Sequence, residues 1–230
     1  MRPCEAAYIA RYIQSVPAEA LSPVLELGSS TAHFRRNLKP HIHQNIHGPL
    51  EARGVEVISS DQKGGDGVHI SGDVFDPAVQ EKLAAVQPRL VLCCNMFEHV
   101  TDRQALAQVC DRVLAPGGRL VVSVPHSYPL HQDPIDTYYR PAPEQIAELF
   151  PGYALEEAAI VKDGNALADL MQGDVLKNLA VMLRLLIPTR GWAKWKERNH
   201  RLLWLLRTYE VSVVCLRKPA RPAAQRRAAR

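Results

Sequence analysis

The chain has 230 residues, 47% of them hydrophobic and 23% charged, with a formal net charge of +4. That balance excludes a disordered or fibrous protein and fits one globular domain with an elaboration. The positive excess gathers in a Pro/Ala-rich tail read as disordered, residues 219–230, so the folded body carries little of the footprint of a general nucleic-acid binder.

Tyr8, Ile9, Tyr12 and Ile13 recur at helical spacing and predict a first helix ending near SVP at 15–17. Strand-like runs bounded by turn residues follow: VLEL at 24–27, VEVIS at 55–59, a short VHISGD at 68–73, RLVLCC at 89–94 and RLVVSV at 119–124. Between the last two, TDRQALAQVCDRVLAPGG predicts a helix with Thr101 as N-cap and Leu106, Val109, Val113 and Leu114 on its apolar side. Pro116, Gly117 and Gly118 stop it, which is a structural duty and not a catalytic one. Two last strands, YALEEAAIV at 153–161 and YEVSVVCLR at 209–217, enclose a helical insertion at 164–208.

Cys4, Cys93, Cys94, Cys110 and Cys215 are odd in number and lack CxxC spacing, and adjacent Cys93 and Cys94 would point to opposite faces of a strand. They read as buried thiols in a reducing compartment. MRPCEAAYIARYIQ at the start has no long apolar run of a signal peptide, so the expected location is cytoplasmic, with peripheral contact at the inner membrane as a variant.

Apolar strands alternating with helices imply a parallel sheet covered on both faces, whose ligands bind at the carboxyl ends of the strands. The polar residues at those ends are Glu26 and Gly28, then Asp61, Asp73, and the group Asn95, Glu98 and His99. The run at 119–124 is followed by PHSYPLHQDPIDTYYRP, rich in polar and aromatic groups. A dinucleotide loop, GxGxxG with an acid about twenty residues on, fails here: Ser30 and His33 stand at the later glycine positions and Asp61 lies too far along.

Taken in order, VLELGSSTA, VISSD, ISGDVFD, LVLCCNMFEHV and VLAPGGRLVVSVP resemble the successive motifs of the class I S-adenosylmethionine-dependent methyltransferases, type 11-like, over residues 24–150. The resemblance implies an α/β Rossmann-like methyltransferase fold: a mostly parallel seven-stranded sheet with helices on both faces and the helical insertion before the last strand. It also implies S-adenosyl-L-methionine as cofactor. Glu26 would then fix the loop and favour the cofactor's positive charges, and Gly28 would let backbone approach its methionine part, with Ser29 and Ser30 beside it. Asp61 would bind the ribose hydroxyls, Asp73 the adenine amino group with Val74 as backbone neighbour, and Asn95 and Met96 would line the floor. The chain departs from the GxGxG pattern at Ser30 and Ala32, and its stretch from Ala32 to Asp61 is longer than usual. A narrower likeness, on HQDPIDTYYRPAPEQ, is to bacterial methyltransferase-like proteins of polysaccharide or glycolipid modification.

The acceptor should meet the methyl group at the loop after 119–124, where His126, His131 and His99 are candidate bases for a hydroxyl acceptor. The competing reading has Asp133, Asp136 and Arg140 tie that loop by ion pairs while Tyr138 and Tyr139 pack over the cofactor. His41, His43 and His47 read as loop histidines. No metal is expected: NMFEH offers Glu98 and His99, but Asn95 stands where metal-dependent quinone-modifying relatives have a second glutamate. Asp174, Lys177 and Arg184 keep the insertion below membrane-spanning length. Its Trp192, Trp195 and Trp204 among basic residues fit either a lid over the acceptor or a second subunit, or an element at 190–207 resting on anionic lipid. The expected partners are a small-molecule or saccharide acceptor and a second copy of the chain, with no DNA. Two other functions stay open, a methyltransferase-fold binding module without turnover, and an RNA methyltransferase, for which no RNA-binding module is visible.

Overall fold

The computed structural model describes residues 1–131, 135–171 and 204–220. Helix α1 (Pro3–Ser15) leads into strand β1 (Val24–Leu27). A helical stretch follows, in which α2 (Pro40–Ile42) and α3 (Gly48–Ala52) alternate with the wide turns Phe34–Leu38 and His43–His47. Then come β2 (Val57–Asp61), β3 (Ile70–Ser71), α4 (Pro77–Ala85), β4 (Leu90–Cys94), α5 (Arg103–Val113), β5 (Arg119–Ser127), α6 (Pro143–Ala147), β6 (Ala154–Asp163), α7 (Ala166–Met171) and β7 (Tyr209–Arg217).

The sheet has seven strands in the order β3-β2-β1-β4-β5-β7-β6. Pairing is parallel from β3 to β5, and β7 runs antiparallel between β5 and β6. The strands alternate sides as the pleat requires. Leu25, Leu27, Val91, Cys93, Leu120 and Val122 meet α4 and α5 on one face, while Val24, Leu90, Leu92, Val121 and Val213 meet α1, Ile46 and Leu50 on the other. The opposed placement of Cys93 and Cys94 follows, since Cys94 packs with the α1 side.

Several expected boundaries shift. Strand β2 begins at Val57, not at 55, because Val55 is buried ahead of the strand and its N–H closes a turn onto Leu50 O. The cap of α5 is Asp102, whose carboxylate accepts from Ala105 N at 2.9 Å; Thr101 lies one residue too early to do so. The long stretch after Ala32 folds as helix, so His41, His43 and His47 are helical and not loop residues. Cys4 is exposed, unlike the buried thiol expected there.

Among the described residues no helix is long and apolar enough to cross a membrane. Trp192, Trp195 and most of the expected insertion lie outside the described residues. Trp204 is buried and lies beneath the Arg207 guanidinium, 4.6 Å from its ring centre.

Candidate functional site

The parallel sheet directs the ends of β1 to β5 to one edge, where the chain makes two left-handed turns in succession. Gly28 takes φ +71° and Ser30 φ +55°. The first suits glycine; the second strains an L-residue by about 1 kcal/mol or more. What holds Ser30 is Asp61 at the end of β2. Its Oδ2 accepts from Ser30 N at 2.8 Å and its Oδ1 from Lys63 N at 3.1 Å.

Sequence reasoning missed Arg35, which is buried and donates to Ser29 O at 3.1 Å, to Ser30 O and to Gly67 O at 2.9 Å. It staples the β1 loop to the loop after β2. The glycines missing from the first loop reappear in the second: a Cβ on Gly65 would stand 2.8 Å from Thr31 Cγ2, and one on Gly67 2.6 Å from Ala32 Cβ. Close approach between these loops is kept by exchanging which side carries the side chains.

Glu26 is buried, and its Oε2 lies 2.9 Å from His47 Nε2 without the alignment of a hydrogen bond. His47 is thus a buried partner of the strand acid. Gly28 has no room for a Cβ, which would stand 2.9 Å from both Cγ and Sδ of Met96. Asp73 is exposed and its Oδ1 accepts from Phe75 N at 2.9 Å, shaping the turn, while Val74 packs on the core.

Asn95, at φ +53°, is held from behind by the first helix. Its Nδ2 donates to Glu5 Oε1 at 2.8 Å, and Ser123 Oγ donates to the same oxygen at 2.6 Å. Glu5 is fully buried and also accepts at Oε2 from Arg2 N at 2.8 Å. The signal for it was an acid one and two turns ahead of Ile9 and Tyr12 on the apolar side of the first helix.

The remaining predicted groups gather at the ends of β4 and β5. Glu98 is fully buried with no hydrogen-bond partner on either carboxylate oxygen, and burial raises its pKa to about 8. His99 Nε2 lies 3.8 Å from Glu98 Oε1, and its Nδ1 faces the Ile135 carbonyl. His131 Nδ1 lies 3.2 Å from Asp136 Oδ2, and burial lowers the pKa of this imidazole. Burial opposes ionisation of Asp136 too, but Arg140, 2.6 Å away, and the N–H groups of His131 and Tyr138 outweigh it and hold the carboxyl at about 2.

The ion-pair reading of this loop therefore holds for Asp136 and Arg140, while Asp133 lies outside the described residues. Tyr138 is exposed under the Arg140 guanidinium, and Tyr139 lies under Arg103, so these rings stack on cations. His126 Nδ1 is 2.9 Å from Pro141 O; a carbonyl only accepts, so Nδ1 carries the proton and Nε2 keeps a lone pair. A cavity of about 370 Å³ opens beside His99, lined also by Phe75, Val100, Asp102, Ala105 and Ile135.

These residues fit the cofactor that the motifs imply. Gly28 supplies a cradle that a Cβ would fill, buried Glu26 has an oxygen lacking a donor, and each Asp61 oxygen, with one N–H bound, has a lone pair left for a hydroxyl.

The family described as methyltransferase domain matches residues 5–160. No curated protein sequence matches the chain. Among solved structures, a SAM dependent methyltransferase from Archaeoglobus fulgidus is 16% identical at TM-score 0.53, with 93% of this chain and 92% of that one covered. Coclaurine N-methyltransferase, solved with N-methylheliamine and SAH, is 12% identical at TM-score 0.51, covering 91% of this chain and 70% of that one. A protein of echinomycin biosynthesis, solved in work on converting a disulfide bond into a thioacetal group, is 12% identical at TM-score 0.51, covering 97% and 86%. At such identities the likeness is one of fold.

Proposed function

This chain belongs to the methyltransferase domain family, and from that premise we propose that it transfers a methyl group from S-adenosylmethionine to a hydroxyl of a small-molecule or saccharide acceptor. The cofactor supplies a methyl carbon already activated by its sulfonium. The protein's share is alignment and proton removal.

Alignment falls to the strand ends. Asp61, which fixes Ser30, would also hold the ribose end, Gly28 and Met96 would bound the methionine end, and Asp73 and Val74 would mark the adenine end. Glu26, with His47 against its Oε2, would fix the loop and favour the cofactor's positive charges. Arg35 keeps the loops from drifting, and Glu5 fixes Asn95 from behind.

The observation that carries the hydroxyl reading is His126 at the end of β5, whose Nδ1 is tied to Pro141 O so that Nε2 stands ready as a base. By accepting the hydroxyl proton, His126 would free the acceptor oxygen to take the methyl group, whose bond to sulfur breaks to leave the neutral thioether of the demethylated cofactor. His99, which borders the cavity, would face the acceptor, with His131 packed edge to face against it.

Two measurements test this. Calorimetry should show binding of the demethylated cofactor, and labelled methyl groups should pass to a saccharide or glycolipid fraction with wild-type protein but at least about tenfold more slowly with His126→Ala. Absence of heat with either cofactor form removes the reading; binding without turnover on any fraction leaves a binding module instead.

A further inference from the structure

We propose that Glu98, His99 and His131 form a site for one divalent first-row cation of the zinc type. The sequence alone shows only two neighbouring candidates in NMFEH. The fold adds the third from the loop after β5, and one ligand atom from each residue lies within 4.8 Å of the others. Bonds of about 2.0–2.2 Å in tetrahedral geometry hold ligand atoms about 3.4 Å apart, so side-chain movements of up to about 0.8 Å close the set.

Three independent features point to an ion. First, Glu98 is fully buried with neither carboxylate oxygen partnered, although such a group normally has hydrogen-bond donors or a metal. Second, both imidazoles are oriented from behind: the Ile135 carbonyl faces His99 Nδ1, and Asp136 Oδ2 lies 3.2 Å from His131 Nδ1. The carbonyl only accepts, so on His99 the proton sits on Nδ1 and the lone pair on Nε2, while the Asp136 carboxylate stands beside His131 Nδ1 without a hydrogen bond. Metal-bound histidines are held in this way, and Arg140 in turn fixes Asp136. Third, the His99 and His131 rings meet edge to face with centroids 5.2 Å apart, so both approach one point from different directions.

One carboxylate with two imidazoles is a nitrogen-rich set. It favours zinc or iron(II) over magnesium and calcium, which prefer oxygen. Three protein ligands leave a position open, and His99 borders the cavity described above. Resting on the methyl-transfer reading, that position would take the acceptor's hydroxyl oxygen and make its proton easier to remove.

The test uses the tag-free full chain, stripped with chelator and titrated with zinc chloride by calorimetry, with magnesium as the control ion. One zinc per chain is expected, magnesium at least about 100-fold weaker. His131→Ala and Glu98→Gln should each weaken zinc by at least about 100-fold, and Asp136→Asn by about tenfold through loss of orientation. Zinc should raise the wild-type Tm and leave that of His131→Ala unmoved, which separates a lost site from a lost fold. Heat for the demethylated cofactor should be the same in His131→Ala and wild type. Equal zinc affinity in wild type and His131→Ala, or no zinc bound by wild type, overturns the proposal. Undiminished methyl transfer in chelator overturns the ion's place at the acceptor, whereas zinc binding without any methyl transfer supports the site and counts against the transfer reading alone.

Discussion

Replacing Gly28 by alanine perturbs one atom with two separable costs. The backbone sits at φ +71°, where an L-residue costs roughly 1–2 kcal/mol. The new Cβ would also stand 2.9 Å from both Cγ and Sδ of Met96, which packs against the main core and lies 3.9 Å from Cys93 Sγ. Methionine is adaptable, so displacing it costs about 1–2 kcal/mol, the low end for overpacking. The sum is about 3 kcal/mol, or a Tm lower by about 6–12 °C in a chain of this size. Urea unfolding followed by circular dichroism reads it, with an unchanged slope as the check that only stability moved. Met96→Ala and the double variant complete a cycle. The clash vanishes when Met96 is truncated while the φ cost remains, so the double variant should beat the sum of the singles by about 1–2 kcal/mol. Strict additivity would refute the contact, and an unchanged Tm for Gly28→Ala would refute both costs. Calorimetry on the same proteins should show demethylated-cofactor binding at least about tenfold weaker in Gly28→Ala, because the cradle is then filled.

Asp61→Ala leaves the N–H groups of Ser30 and Lys63 without their acceptor and should lower stability by about 2 kcal/mol while abolishing most cofactor heat in calorimetry. Arg35→Met strips the donor from three carbonyls at once, an expected loss of about 3 kcal/mol in urea unfolding. Arg140→Met bears on acid stability. Asp136, held at about 2 against the opposition of burial, contributes stability that is present above the ordinary carboxylate range and lost as pH falls toward 2. Without Arg140 the carboxyl titrates higher, so the acid-unfolding midpoint, followed by circular dichroism, should move to higher pH.

The strand-end acids were legible because the parallel sheet makes chemistry converge where apolar runs stop, and Asp61 and Asp73 stand at two such stops. The bounds of β1 and β7 were legible for the same reason, their runs being short and cleanly closed. Arg35 gave no signal, because its partners are carbonyls, which every residue has. Helical spacing put Glu5 on the apolar side of the first helix, but its partners Asn95 and Ser123 come from across the fold, as does the nearness of His131 to Glu98, and no local periodicity encodes either. Asp102 displaced Thr101 as cap by a single residue, a difference that side-chain reach decides and hydrophobic pattern does not.

The acid of the first helix has a consequence for how the chain comes off the ribosome. Glu5 is made well before Ser123, which shares its Oε1 and lies 118 positions downstream, and Arg2 well before Asp169, its partner at 2.8 Å and 167 positions downstream. Until β5 has emerged, the amino-terminal segment carries an apolar face with a carboxylate that has nowhere to bury. It can seat only after most of the sheet exists, so a helix synthesised ahead of the sheet finds its place after it.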